Sequence, residues 1–71
     1  MQRLLNYKDY IIATSVLAPA GKPFEATFII RRSADAQIIH SARLERTYAF
    51  GEEARLAARH AAEAYIDGLG R

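Results

Sequence analysis

The chain has 71 residues, a net charge of +2 and no cysteine. A domain this short buries only about 60% of the surface its unfolded chain exposes, and without thiols neither a disulfide nor a thiolate metal site can brace it. No apolar run reaches the roughly 18 residues of a membrane span, and residues 1–6 carry one positive charge and no long apolar region, so neither a span nor a secretory signal is expected. The composition is that of a bacterial-type, cytoplasmic small protein.

The first strand is expected over about residues 7–18. Tyr10 to Leu17 (Tyr-Ile-Ile-Ala-Thr-Ser-Val-Leu) is rich in β-branched and aromatic side chains. Residues 18–23, Ala-Pro-Ala-Gly-Lys-Pro, then predict a turn. Gly21-Lys22 lacks the spacing and the following helix of a phosphate loop. Residues 24–32 form the second strand, with the clearest alternation in the chain. Phe24, Ala26, Phe28 and Ile30 fall on one face, and Glu25, Thr27, Ile29 and Arg31 on the other. That pattern predicts the central strand. Residues 33–36 make a short turn. Residues 37–48 are the third strand, long enough to require a bend or bulge near Ser41-Ala42, since most strands run to about five or six residues.

One helix is expected over residues 51–67. Ala54, Ala58, Ala61, Ala62, Tyr65, Ile66 and Leu69 recur at helical spacing on one stripe. Gly51 reads as the N-cap, Glu52 and Glu53 complement the helix dipole, and Gly68 and Gly70 supply the stop. Arg59 and Glu63 are placed to pair across a turn. Tyr65, Ile66 and Leu69 are expected to give the larger apolar contacts near the helix end, and Tyr65→Ala to cost more than any single change in the alanine stripe, on the order of 3 kcal/mol if its ring is buried. The elements predict one α+β domain over residues 1–71, a three-stranded antiparallel meander with a C-terminal helix on one face (β-β-β-α).

Charge is uneven. Residues 1–50 carry seven basic and four acidic side chains, and residues 51–67 carry two basic and four acidic. A polyanion is therefore expected to meet the sheet rather than the helix. Arg31, Arg43 and Arg46 are the residues placed to contact nucleic acid, arginine being suited to phosphate. The same uncovered face must also carry aliphatic residues, because Ile11 and Ile12 alternate, as do Ile38 and Ile39. Ile11, Ile29 and Ile39 are the set expected to serve a protein interface.

The segment Tyr48-Ala-Phe-Gly-Glu-Glu-Ala54 resembles the strand-to-helix junction of small β-β-β-α domains. Over residues 10–67 the pattern is similar to the DNA-binding domain of plant ethylene-response factors and to the N-terminal arm-binding domain of phage-type integrases. That resemblance implies a sheet in the major groove, with Arg31, Arg43 and Arg46 on bases and phosphates. Those families use tryptophan on the sheet, which this chain lacks, and Glu25, Asp35 and Glu45 offset its arginines. The Tyr-rich start, Tyr7-Lys-Asp-Tyr-Ile-Ile12, looks like that of uncharacterised short proteobacterial proteins, with which no activity is associated.

No catalytic arrangement stands out. His40 and His60 sit on different elements, without further metal ligands beside them. Ser15, Ser33 and Ser41 lie in no nucleophile elbow. Glu52 and Glu53 are explained by the helix dipole, and a chain this small has little room for a substrate cavity of roughly 300 Å³ or more. The sequence thus predicts a non-enzymatic binding domain without cofactor, metal, membrane or small-molecule substrate. Weak nucleic-acid contact through the sheet is the first expectation, and self-association or protein interaction through the open face or an edge strand is the second.

Overall fold

The computed structural model describes residues 2–18 and 23–69. Its architecture is α+β, an antiparallel sheet under one C-terminal helix, but the sheet has four strands rather than three. β1 (Gln2–Tyr7), β2 (Tyr10–Leu17), β3 (Phe24–Arg32) and β4 (Ile38–Tyr48) pair in chain order, and α1 (Gly51–Leu69) follows. β2 and β3 are the central strands. The loop expected at 18–23, with Gly21-Lys22, falls largely on residues 19–22, outside the described residues, as does Gly70.

The additional strand is Gln2–Tyr7, which lies almost wholly ahead of the first strand expected at about 7–18 and forms a hairpin with it. β1 turns back on β2 at Lys8-Asp9, so that Tyr7 pairs with Tyr10 and Gln2 with Ser15. Lys8 adopts a positive φ of 54°, which lets the chain reverse there. The Asp9 carbonyl accepts from the Ser33 N–H at 2.9 Å, tying this turn to the one between β3 and β4. That second turn is built by Ala36, at φ 59°, and by the Asp35 carboxylate, which accepts from the Gln37 N–H at 3.1 Å.

The β3 alternation places Ala26, Phe28 and Ile30 under the helix, all buried, with Phe24 half-buried at the sheet end. β4 is irregular at two places. Thr27 pairs with Arg43 while Glu25 pairs with Thr47, which leaves 44–46 without register partners. Ile30 pairs with His40 while Arg31 pairs with Ile38, which makes Ile39 an extra residue.

The helix lies over β2 and β3, with a lesser contact to β4. Its buried residues are Ala54, Ala58, Ala62 and Ile66, a four-residue ladder. The alanines let its axis approach Ile12, Ala26 and Ile30, which are fully buried. Tyr65 is only half-buried, stacked on His40 with centroids 4.0 Å apart and planes 3° from parallel. Leu69 is largely exposed. Of the three larger contacts expected near the helix end, Ile66 alone is buried. The Ala54 N–H donates to the Phe50 carbonyl at 3.2 Å, so Phe50 holds the N-cap position and Gly51 is the first helical residue. Gly68 lies inside the helix rather than ending it. Among the described residues no helix is long and apolar enough to cross a membrane.

Candidate functional site

The helix covers one side of the sheet, and strand register builds the other side row by row. Leu4, Ala13, Ile29 and Ser41 form one row across all four strands. Asn6, Ile11, Arg31 and Ile38 form the next row. Gln2, Ser15, Thr27 and Arg43 flank the first row on its other side, followed by Leu17, Glu25 and Thr47. The first row is thus aliphatic but for Ser41, and the second alternates Ile11 and Ile38 with Asn6 and Arg31. Leu4 is 73% exposed and Ile38 49% exposed. Ile11 and Ile29 are half-buried. Ala13 is buried although no element covers it; Leu4 and Ile29 flank it in register.

The expected protein-interface residues divide. Ile11 and Ile29 stand on the open face, but the bulge turns Ile39 to the other side, where it packs against the core cluster. Ile38 takes the open position instead. Leu4 and Ala13 also belong to the face. Their role was hidden in the sequence because it depends on β1 pairing with β2.

The expected nucleic-acid residues do not form one strip. Arg31 and Arg43 share the open face, but Arg31 lies four residues along β3 from Thr27, the partner of Arg43. At about 3.3 Å per residue that is some 13 Å. Arg31 donates to the Ala36 carbonyl at 3.2 Å, and Arg43 Nη1 lies 3.9 Å from Glu25 Oε1. Arg46 falls in the unpaired stretch 44–46, off both rows. Neighbouring Arg32 is held at the turn by Asp35 and Gln37.

The remaining polar groups have structural surroundings. His40 is sandwiched between Phe28 and Tyr65, with centroid distances of 5.7 and 4.0 Å, and His60 is exposed on the helix. No three His, Asp or Glu residues gather to hold a metal among the described residues. Glu52 pairs with Arg55 one turn on. The hydrogen bond from Arg55 holds the Glu52 carboxyl below its ordinary range and raises the guanidinium in turn. Ser41 is exposed in the row beside Ile29, with no histidine bonded to it. Comparison with known proteins finds no match among family models, curated proteins or solved structures.

Proposed function

We propose that this chain is a small non-enzymatic binding domain that associates with a second copy of itself through the open sheet face. The observation carrying this reading is the apolar row Leu4-Ala13-Ile29 at the centre of that face, extended by Ile11 and Ile38 on either side of Arg31 in the next row. An uncovered sheet face of a monomer alternates polar residues outward, whereas an exposed apolar patch with a polar rim marks an association surface.

Size and charge favour a second copy as the occupant. The molecule measures 37 × 22 × 15 Å. Its two longer dimensions leave room, as an upper bound, for the roughly 800 Å² that each partner gives to a standard interface. The face carries both signs, Arg31 within the second row and Arg43 and Glu25 beyond the first, so opposite charges can meet across a two-fold axis. A thin two-layer domain also gains a second core by pairing sheet to sheet, with the helices outward.

Weak nucleic-acid contact through the same face is the second reading, and it rests on Arg31 and Arg43 sharing that face. The tie of Arg31 to its own turn and the nearness of Glu25 to Arg43 count against it.

Sedimentation velocity over a dilution series tests the proposal. A dimer is expected at about 100 μM protein, within the affinity span of standard interfaces. It persists in added salt, is lost in Ile29→Lys and is retained in Arg43→Ala. A monomer at all concentrations, together with salt-reversible binding of short duplex DNA that Arg43→Ala weakens, would replace this reading with the nucleic-acid one.

A further inference from the structure

A groove runs along the helix side of the sheet, away from the open face. It exists because α1 sits over β2 and β3 and leaves β1 largely uncovered. Arg3 and Thr14 are register partners on this side of the sheet. Arg55 and Arg59 reach down from the helix. Two adjoining cavities result, and they share Arg3 and Arg55. One, of about 300 Å³, is lined by Val16, Phe24, Gly51 and Glu52 besides those two arginines. The other, of about 180 Å³, is lined by Leu4, Leu5, Thr14 and Arg59 besides them. The larger cavity reaches the lower end of the usual range of ligand pockets, which starts at about 300 Å³.

Three features distinguish this groove from ordinary surface relief. Thr14 is only 4% exposed and lines the smaller cavity, and its hydroxyl has no hydrogen-bond partner among the described residues. No side-chain polar atom among those residues is both sealed from solvent and unpartnered, so the hydroxyl of this cavity-lining residue keeps some access to solvent. Hydroxyls on nearly buried residues are ordinarily bonded, and this one is free to meet a ligand. Arg3, its neighbour across the strand pair, stands within electrostatic range of Glu52 but makes no close ion pair among the described residues, whereas Arg55 and Arg59 are paired with Glu52 and Glu63. The larger cavity, reached past the same Arg3, has Val16 and Phe24 as apolar walls.

We propose that this groove binds a small amphipathic carboxylate. The head accepts hydrogen bonds from Arg3 and from the Thr14 hydroxyl, with Arg55 and Arg59 adding positive potential. The apolar tail lies against Val16 and Phe24. Glu52 and Glu63 offset two of the three arginines, and the net positive wall that remains selects a single negative charge rather than a polyanion. Gly51 keeps the tail pocket open: a Cβ there would stand 3.6 Å from the Phe24 ring and 3.9 Å from Val16 Cγ1, so a longer side chain fills the cavity. The site lies on the helix side of the sheet and shares only Leu4 with the open face.

Titration of the ¹⁵N-labelled protein with octanoate, acetate and octanol tests the assignment. Octanoate is expected to give saturable shifts at Arg3, Thr14, Val16, Gly51 and Arg55, with acetate and octanol at least tenfold weaker. Arg3→Gln, an exposed change that spares the fold, is expected to weaken octanoate about fivefold, the effect of one charge-assisted hydrogen bond near solvent. Thr14→Val is expected to weaken it while leaving the melting temperature unchanged or higher, and Gly51→Leu to abolish it. Equal affinity for octanoate and octanol, undiminished binding by Arg3→Gln, or no saturable shift at millimolar octanoate would overturn the proposal. None of these results bears on dimerisation, which is read by sedimentation.

Discussion

The Tyr7 hydroxyl donates to both carboxylate oxygens of Asp67, at 3.0 and 3.2 Å, and joins the first strand to the end of the helix. Lys8 adds an ion pair to the same carboxylate at 2.6 Å. A carboxylate near a helix C-terminus is disfavoured by the helix dipole, and the last turn of α1 holds no basic residue to offset it. Tyr7 and Lys8 supply that offset from the β1–β2 hairpin. Asp67→Ala is therefore expected to lower the melting temperature even though alanine is the better helix former. It is also expected to speed amide exchange along β1 more than along β3. Unchanged exchange in β1 would show that the hairpin holds without the helix.

The same cluster sets a pH dependence. The hydrogen bond to Asp67 raises Tyr7 above its usual 10.0 and Lys8 above its usual 10.5. Both folded values lie above the unfolded ones, so their contribution is fully present below about pH 10 and is lost as pH rises through the raised values. Stability to urea is expected to fall above about pH 10, and to fall less in Tyr7→Phe, which removes one of the two titrations. Glu52 acts at the other limit. Arg55 lowers it from 4.5, so its contribution is present above that value and fades as pH drops through the lowered one. Identical alkaline profiles for the wild type and Tyr7→Phe would contradict the assignment.

The helix–sheet contact ranks the core. Ile66→Ala is expected to cost about 3 kcal/mol, because it empties a buried site between helix and sheet. Tyr65→Ala is expected to cost less, about 1–2 kcal/mol, since that ring is half-buried and its main partner is the stacked His40. Ala58→Leu is expected to cost at least about 2 kcal/mol by forcing the helix off β2 and β3. Urea unfolding at constant m-value measures all three. A larger loss at Tyr65 than at Ile66 would reverse this packing order.

The Lys8 backbone offers a separate check. At φ 54° a side chain bearing Cβ is strained and glycine is not. Both Lys8→Ala and Lys8→Gly lose the ion pair, so their difference reports the strain less the extra backbone entropy that glycine loses on folding. Lys8→Gly is expected to melt higher than Lys8→Ala.

Local pattern made some elements legible and hid others. The alternation of Phe24 to Arg31 marked a central strand and its two faces, and the alanine spacing marked the helix and its buried side. β1 was not legible as a strand of its own. Leu4 and Leu5 are adjacent apolar residues without alternation, and Lys8-Asp9 lacks the Asn-Gly or Gly signature of a tight hairpin. What supports that turn is Asp67, some sixty positions away in sequence. Ile39 was displaced for a different reason. A one-residue bulge reverses which of two consecutive isoleucines faces the core, and nothing in Ile38-Ile39 itself marks the extra residue. The groove at Thr14 was likewise out of reach, because Arg3, Thr14 and Arg55 meet only through β1 pairing and helix placement.

The most direct test of the open-face account is an isotope-filtered NOE measurement on a mixture of labelled and unlabelled protein at high concentration. Dimerisation through the sheet predicts intermolecular contacts among the methyl groups of Leu4, Ile11, Ala13, Ile29 and Ile38, and none from Ala58 or Ile66. Intermolecular contacts confined to the β1 edge or the helix, or none at a concentration where the protein is shown to be monomeric, would contradict it.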